Sequence, residues 1–161
     1  MIKEKNTTVY AFVRNPELYP LAKYLDYADL ALAREKENLK TLTQGLKAKD
    51  PVMRYWSVVG LLLLEKDAKP AISALKNSLD DQDEIPPLAA WAIYKAGDKP
   101  FADKWMLDTI TNDPGNKMLA NVLDWMDEGS FSILSRIPRV KLPKKGLLKD
   151  VANRAEARKK G

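Results

Sequence analysis

The sequence predicts an all-α fold, an α-solenoid of about three to four helix pairs followed by a basic C-terminal tail. Three observations predict it. Lys69-Pro70 and Lys99-Pro100 lie 30 residues apart, and each opens a stretch with apolar residues at helical spacing. The stretch from Ser57 to Leu64 is apolar on almost every side, so it must lie between other helices. No segment alternates apolar and polar residues with the period of two that a half-buried strand requires. Helix pairs that return every ~30 to 35 residues bury their faces against their neighbours, as stacked repeats do.

Each element has its own local reason. Residues 1–19 read as an N-terminal linker, with turn signals at Asn15-Pro16 and Tyr19-Pro20. Pro20 opens a helix to about Arg34, with Leu21, Tyr24, Leu25, Ala28 and Leu32 on one side. A shorter helix near Glu37 to Lys47, carrying Leu39, Leu42 and Leu46, completes a first pair. Asp50 then sets a strong start: its carboxylate caps free amides, and Pro51 suits the first helical position. Arg54 lies one turn on, placed to reach back toward Asp50 or toward a neighbouring loop. Asp50 and Arg54 are therefore assigned structural roles, as helix cap and inter-helix pair.

The second half follows the same logic. Pro70 opens a helix marked by Ile72, Leu75 and Leu79, and the acidic loop at residues 80–84 leads to Pro86-Pro87. The next helix is apolar and stops at Gly97, in the usual C-terminal position. Phe101, Trp105 and Ile110 mark the helix after Pro100. Asp113-Pro114 repeats the Asp50-Pro51 signal and leads into Met118, Leu119, Val122, Leu123 and Met126, ended by Gly129. A short helix from Ser130 to Arg136 would cover the end of the stack, so the repeat domain is set at 20–136. Residues 137–161 form the basic tail, read either as ending in a helix over 145–159 or as a frayed, partner-bound segment.

Composition removes whole classes of chemistry. The 161 residues include no cysteine, so disulfides, thiolate nucleophiles and thiolate metal sites are excluded. They include no histidine, the commonest general base and metal ligand. The chain is expected not to be an enzyme and to use no cofactor. The longest apolar run, Val58 to Leu64, falls far short of the ~18 residues of a membrane span. The N-terminal patch Val9 to Val13 is too short for a secretory signal, and the compartment stays open. The net charge of +5 is uneven: residues 136–161 hold ten basic residues against two acids, leaving seventeen against twenty before them.

The remaining candidates are weaker. Asp80, Asp81, Asp83 and Glu84 offer carboxylate oxygens to a cation, but without the glycine and spacing of a calcium loop they read as a solvated inter-helix loop. Asp26 with Asp29, and Asp124 with Asp127 and Glu128, read as helix-surface charge rather than acid–base pairs. Trp56, Trp91, Trp105 and Trp125 sit among Leu and Val at helical spacing and read as packing residues, Trp105 and Trp125 being the more exposed. The tail is the sharpest feature. Lys141, Lys144, Lys145, Lys149, Arg154, Arg158, Lys159 and Lys160 would attract a polyanion, a nucleic-acid backbone or a sulfated glycan, by screened Coulomb attraction.

Three segments resemble a known family. Asp50-Pro51-Val52-Met53-Arg54-Tyr55-Trp56 with Gly60-Leu61-Leu62 resembles the HEAT-like repeat region C-terminal to the catalytic domain of bacterial sulfatases. These are the N-sulfoglucosamine sulfohydrolase-like enzymes of Bacteroidetes type. Tyr10 and Asn15 through Pro20, with Ala28-Asp29-Leu30-Ala31, are similar to the start of that region, and Asn121 through Met126 to a later helix. The resemblance implies an accessory scaffold whose partner is another protein or the sulfatase catalytic domain in cis, and a family that is usually exported. It implies no activity here. Ser135-Arg136-Ile137-Pro138-Arg139 puts proline one place too late for the family's formylglycine motif, and the metal-binding histidine is missing.

Overall fold

Helix signals close together in the sequence become helices whose partners are distant in it. The structure is a computed structural model and describes residues 8–81, 84–126 and 146–160. Among them it is all helix and turn. In chain order the α-helices are α1 (Val9–Arg14), α2 (Leu21–Leu32), α3 (Leu39–Gly45), α4 (Pro51–Leu63), α5 (Ile72–Asn77), α6 (Ile85–Ala96), α7 (Lys99–Asn112), α8 (Lys117–Trp125) and α9 (Leu147–Lys160). Short 3-10 turns at Lys36–Asn38, Glu65–Ala71 and Ser78–Asp80 join several of them.

α4 and α6 are the central pair. α4 packs against α2, α3 and α6, while α6 packs against α4, α5, α7 and α8. Their sequences explain this placement: Val58, Leu61, Ala89, Ala90, Ala92 and Ile93 are wholly buried. A helix apolar around most of its circumference is stable only with neighbours on several sides. The small side chains of α6 let those neighbours come close. α9 closes the other end by lying on α8 with Val151 and Ala152 buried.

Two glycines mark the closest approach. A Cβ on Gly60 would stand 2.7 and 2.9 Å from the Leu42 methyls and 3.2 Å from the Ala31 Cα. One on Gly45 would stand 2.0 Å from the Tyr27 hydroxyl and 2.1 Å from Ser57 Oγ. α2, α3 and α4 are thus packed at a distance that only the missing methyl groups permit.

The helix ends carry a period of their own. Arg34, Glu65 and Gly97 follow α2, α4 and α6 with φ of 58°, 49° and 114°, and their positions are 31 and 32 residues apart. Pro20 and Tyr24 likewise recur as Pro51 and Tyr55, each 31 residues on. Only glycine adopts a left-handed conformation without cost, so Arg34 and Glu65 each carry about 1 kcal/mol of strain.

Several local expectations change. Residues 9–14, expected in a linker, form α1, capped by Thr8 and anchored by the buried Phe12. Pro70 lies inside a 3-10 turn rather than at a helix start, and α5 begins at Ile72. Asp113-Pro114 does not start α8. Asp113 accepts the Gly115 amide in a turn, and Asn116 caps the helix through the Leu119 amide at 2.8 Å. The expected helix at Ser130–Arg136 and its preceding Gly129 lie outside the described residues.

Candidate functional site

The Asp50–Trp56 segment builds the most connected polar cluster. Asp50 Oδ1 accepts the Val52 amide at 2.9 Å and so caps α4, where Pro51 takes the first position. Its second oxygen, Oδ2, accepts the Tyr24 hydroxyl at 2.7 Å, which ties α2 to the start of α4. That hydrogen bond, followed by burial and the nearby carboxylate charge, pushes the Tyr24 phenol up to about 12.

Arg54 does not pair with Asp50. Its Nε and Nη2 donate to the two carboxylate oxygens of Asp81 at 2.6 and 3.0 Å, a bidentate pair in which both side chains are under one-fifth exposed. Its Nη1 donates to the Ala48 and Lys49 carbonyls at 3.0 and 3.1 Å. One guanidinium therefore joins the turn before α4 to the loop before α6. Asp81 belongs to the acidic loop read as solvated, and the structure gives it this partner instead. Sequence spacing could not find a pair 27 residues apart. The missed signal is only the coincidence of a half-buried arginine and an acidic loop.

A second polar contact lies at the α2–α4 crossing. Tyr27 and Ser57 share a hydrogen bond of 2.9 Å, and the fully buried Ser57 also donates to the Met53 carbonyl at 2.7 Å. Tyr24, Tyr27, Asp50, Arg54, Ser57 and Asp81 all fasten helices together.

The tail residues are only partly brought together. Lys141, Lys144 and Lys145 lie outside the described residues. Lys149 is half-buried on α9, and Arg158, Lys159 and Lys160 fall in its last turn. Arg154 is committed: its Nε and Nη2 donate to the Asp124 carboxylate on α8 at 3.0 and 2.9 Å, which raises its pKa above the usual arginine range. Asp124, read as surface charge, is thus a partner for α9.

Two clefts remain. One of about 410 Å³ is lined by Pro51, Val52, Tyr55, Glu84 and Ile85, at the starts of α4 and α6. Another of about 390 Å³ lies at their opposite ends, lined by Arg34, Leu63, Glu65, Asp67, Trp91 and Lys95 among others. Trp91 also packs near Trp125, with ring centroids 6.4 Å apart. Trp56, Trp91 and Trp105 are half-buried and Trp125 is 53% exposed, so the expected exposed pair reduces to Trp125 alone. Among the described residues no group of three or more Asp or Glu is arranged to hold a metal ion, and no helix is long and apolar enough to cross a membrane. Comparison with the known protein families, with curated proteins and with solved structures finds no match to this chain.

Proposed function

We propose that the chain is a non-catalytic interaction domain, an α-solenoid of HEAT-like helix pairs that serves as a scaffold for another protein. One observation carries this reading: α2, α4 and α6 pack side by side and end in left-handed residues at a period of 31 to 32. A stacked repeat is a quasi-one-dimensional frame whose main product is extended surface. Its charged side chains at Asp50, Arg54 and Asp81 are spent on holding the frame together. Exposed apolar side chains on α2, namely Leu21, Leu25 and Leu32 at 44 to 56%, supply a stripe of the kind that protein interfaces use.

The resemblance of Asp50–Trp56 and Asn121–Met126 to the sulfatase accessory region supports one context, with the catalytic domain of such an enzyme as the partner in cis. The test is gel filtration with light scattering of the chain mixed with a Bacteroidetes-type sulfatase catalytic domain. The expected result is a one-to-one complex lost on Leu25→Glu, while the chain alone leaves 4-nitrophenyl sulfate intact. Turnover by the chain alone would overturn the non-catalytic reading, and separate elution would remove the sulfatase context.

A second reading, a polyanion-binding module, rests on α9. Its anchoring by Val151, Ala152 and Arg154 gives the basic segment a fixed helical frame. Retention on heparin that falls steeply with salt, and vanishes on deleting residues 140–161, is the expected outcome for that reading. Retention that survives the deletion would sink it.

A further inference from the structure

We propose that the cleft at the C-terminal ends of α4 and α6 is a peptide-docking site, taking an apolar anchor residue flanked by one acidic and one basic side chain. The proposal rests on the interaction-domain reading and names where and what that domain binds. Four observations meet there.

The first is shape. The cleft holds about 390 Å³, within the range of sites that accept a large side chain and its flanking backbone. Second, its apolar part consists of the buried Leu64 and the half-buried Leu62, Leu63 and Trp91, so some apolar surface stays in contact with water unless something covers it.

The third is charge. Lys95 and Glu65, both in the lining, neutralise each other through a bridge of 3.0 Å. The other two charged lining residues, Arg34 and Asp67, are exposed, and their side chains hold no ion pair among the described residues. The half-buried Leu62, Leu63 and Trp91, with a cation and an anion beside them that are unpaired among the described residues, complement an apolar residue flanked by both signs. A purely anionic ligand would meet Asp67, and a purely cationic one would meet Arg34.

The fourth is conformational. Among the described residues, Arg34 and Glu65 are the only non-glycine residues with positive φ, and both line this one cleft. The corresponding position after α6 is Gly97, which lies outside the lining. Glycine at 34 and 65 would relieve the backbone and delete two charged side chains. The chain carries the strain at two positions that line the cleft.

The substitution Arg34→Gly separates a binding role from a structural one. The probes are fluorescein-labelled ten-residue peptides with a central leucine, flanked by Asp on one side and Lys on the other, read by fluorescence anisotropy. Control peptides carry serine at both flanks, or serine for the leucine. The expected result is binding of the mixed-charge peptide at least tenfold tighter than either control. Arg34→Gly is expected to raise the melting temperature of the free protein yet weaken that binding at least tenfold, with Asp67→Asn weakening it without stabilising. Equal affinity for the serine-flanked peptide overturns the proposal, as does unchanged binding by Arg34→Gly. A lowered melting temperature in Arg34→Gly would assign Arg34 to structure and overturn it too. If the peptides fail while the chain still forms a complex with a catalytic domain insensitive to Arg34→Gly, the cleft falls and the interaction-domain reading stands.

Discussion

The α2–α3–α4 region and the α6–α7 region are both close-packed, but different physics holds them. In the first, α2, α3 and α4 meet around Gly45 and Gly60, and polar groups fix the arrangement: Tyr24 to Asp50 and Tyr27 to Ser57 join α2 to α4, and Arg54 to Asp81 joins α4 to the loop before α6. In the second, alanines pack beside the buried Ile93, Met106 and Ile110, with Ala89, Ala90, Ala92, Ala96 and Ala102 at most 2% exposed. Such packing is tolerant, because apolar contact is non-directional and small shifts lose little. A hydrogen bond or bidentate ion pair fixes distance and angle. The first region therefore specifies one helix arrangement tightly, and the second supplies burial. Substitutions of equal size should cost more in the first.

Gly45→Ala is the strongest way to test this. The new methyl would meet the Tyr27 hydroxyl and Ser57 Oγ far inside contact distance and break the hydrogen bond between them. Overpacking and the lost bond outweigh the better helix propensity of alanine, giving a net destabilisation of about 3 kcal/mol. Chemical denaturation followed by circular dichroism measures it. A gain in stability would show that the α2–α3–α4 packing is loose.

Arg54→Ala comes next, at about 2 kcal/mol, since it deletes a part-buried bidentate pair and two bonds to backbone carbonyls. The loss should be much smaller for Lys104→Ala, whose partner Asp108 lies on the same exposed helix face. Equal effects of the two substitutions would erase the distinction between an inter-helix clamp and a surface pair.

Ser57→Ala and Ala92→Ser form a direct exchange between the regions. Both positions are wholly buried. Removing the Ser57 hydroxyl leaves Tyr27 with only the distant Thr41 carbonyl at 3.4 Å, at a cost of about 1.5 kcal/mol. A serine at 92 can return its hydroxyl to the carbonyl one turn back, as Ser57 does to Met53, and should cost less than 1 kcal/mol. Thermal melts of the two variants decide the order, and a reversed order would mean the alanine region is the more exacting one.

How much of this was legible in the sequence follows the range of each interaction. The Asp50 cap was legible, because capping involves residues two or three apart and the dipeptide Asp50-Pro51 carries both parts. Asp113-Pro114 carries the same dipeptide and misleads, because Asp113 turns its carboxylate to the Gly115 amide and Asn116 makes the cap instead. The apolar character of α4 showed that it is surrounded, but not by which helices. Arg54 was marked as a pairing residue, while its partner Asp81 depends on how α4 and α6 dock. The cleft was not legible at all, since nothing local distinguishes Arg34 and Glu65 from other helix-end charges. The recurrence of Pro20 and Tyr24 as Pro51 and Tyr55 would have given their shared register.

The smallest effect belongs to Tyr24, and it tests the polar region by pH rather than by packing. The phenol titrates near 12 in the fold against an ordinary value near 10, chiefly because its proton is held by Asp50. A folded value above the unfolded one means the contribution is fully present below pH 10 and lost as pH rises through about 12. Tyr24 should therefore ionise late in an ultraviolet titration, and Asp50→Asn should bring it back toward its ordinary value. The same substitution keeps an oxygen for the Val52 amide, so its cost at neutral pH is about 1 kcal/mol or less. If Asp50→Asn leaves the late-titrating tyrosine in place, the α2–α4 junction is not held by this bond. The polar region would then rest on Ser57 and Arg54 alone.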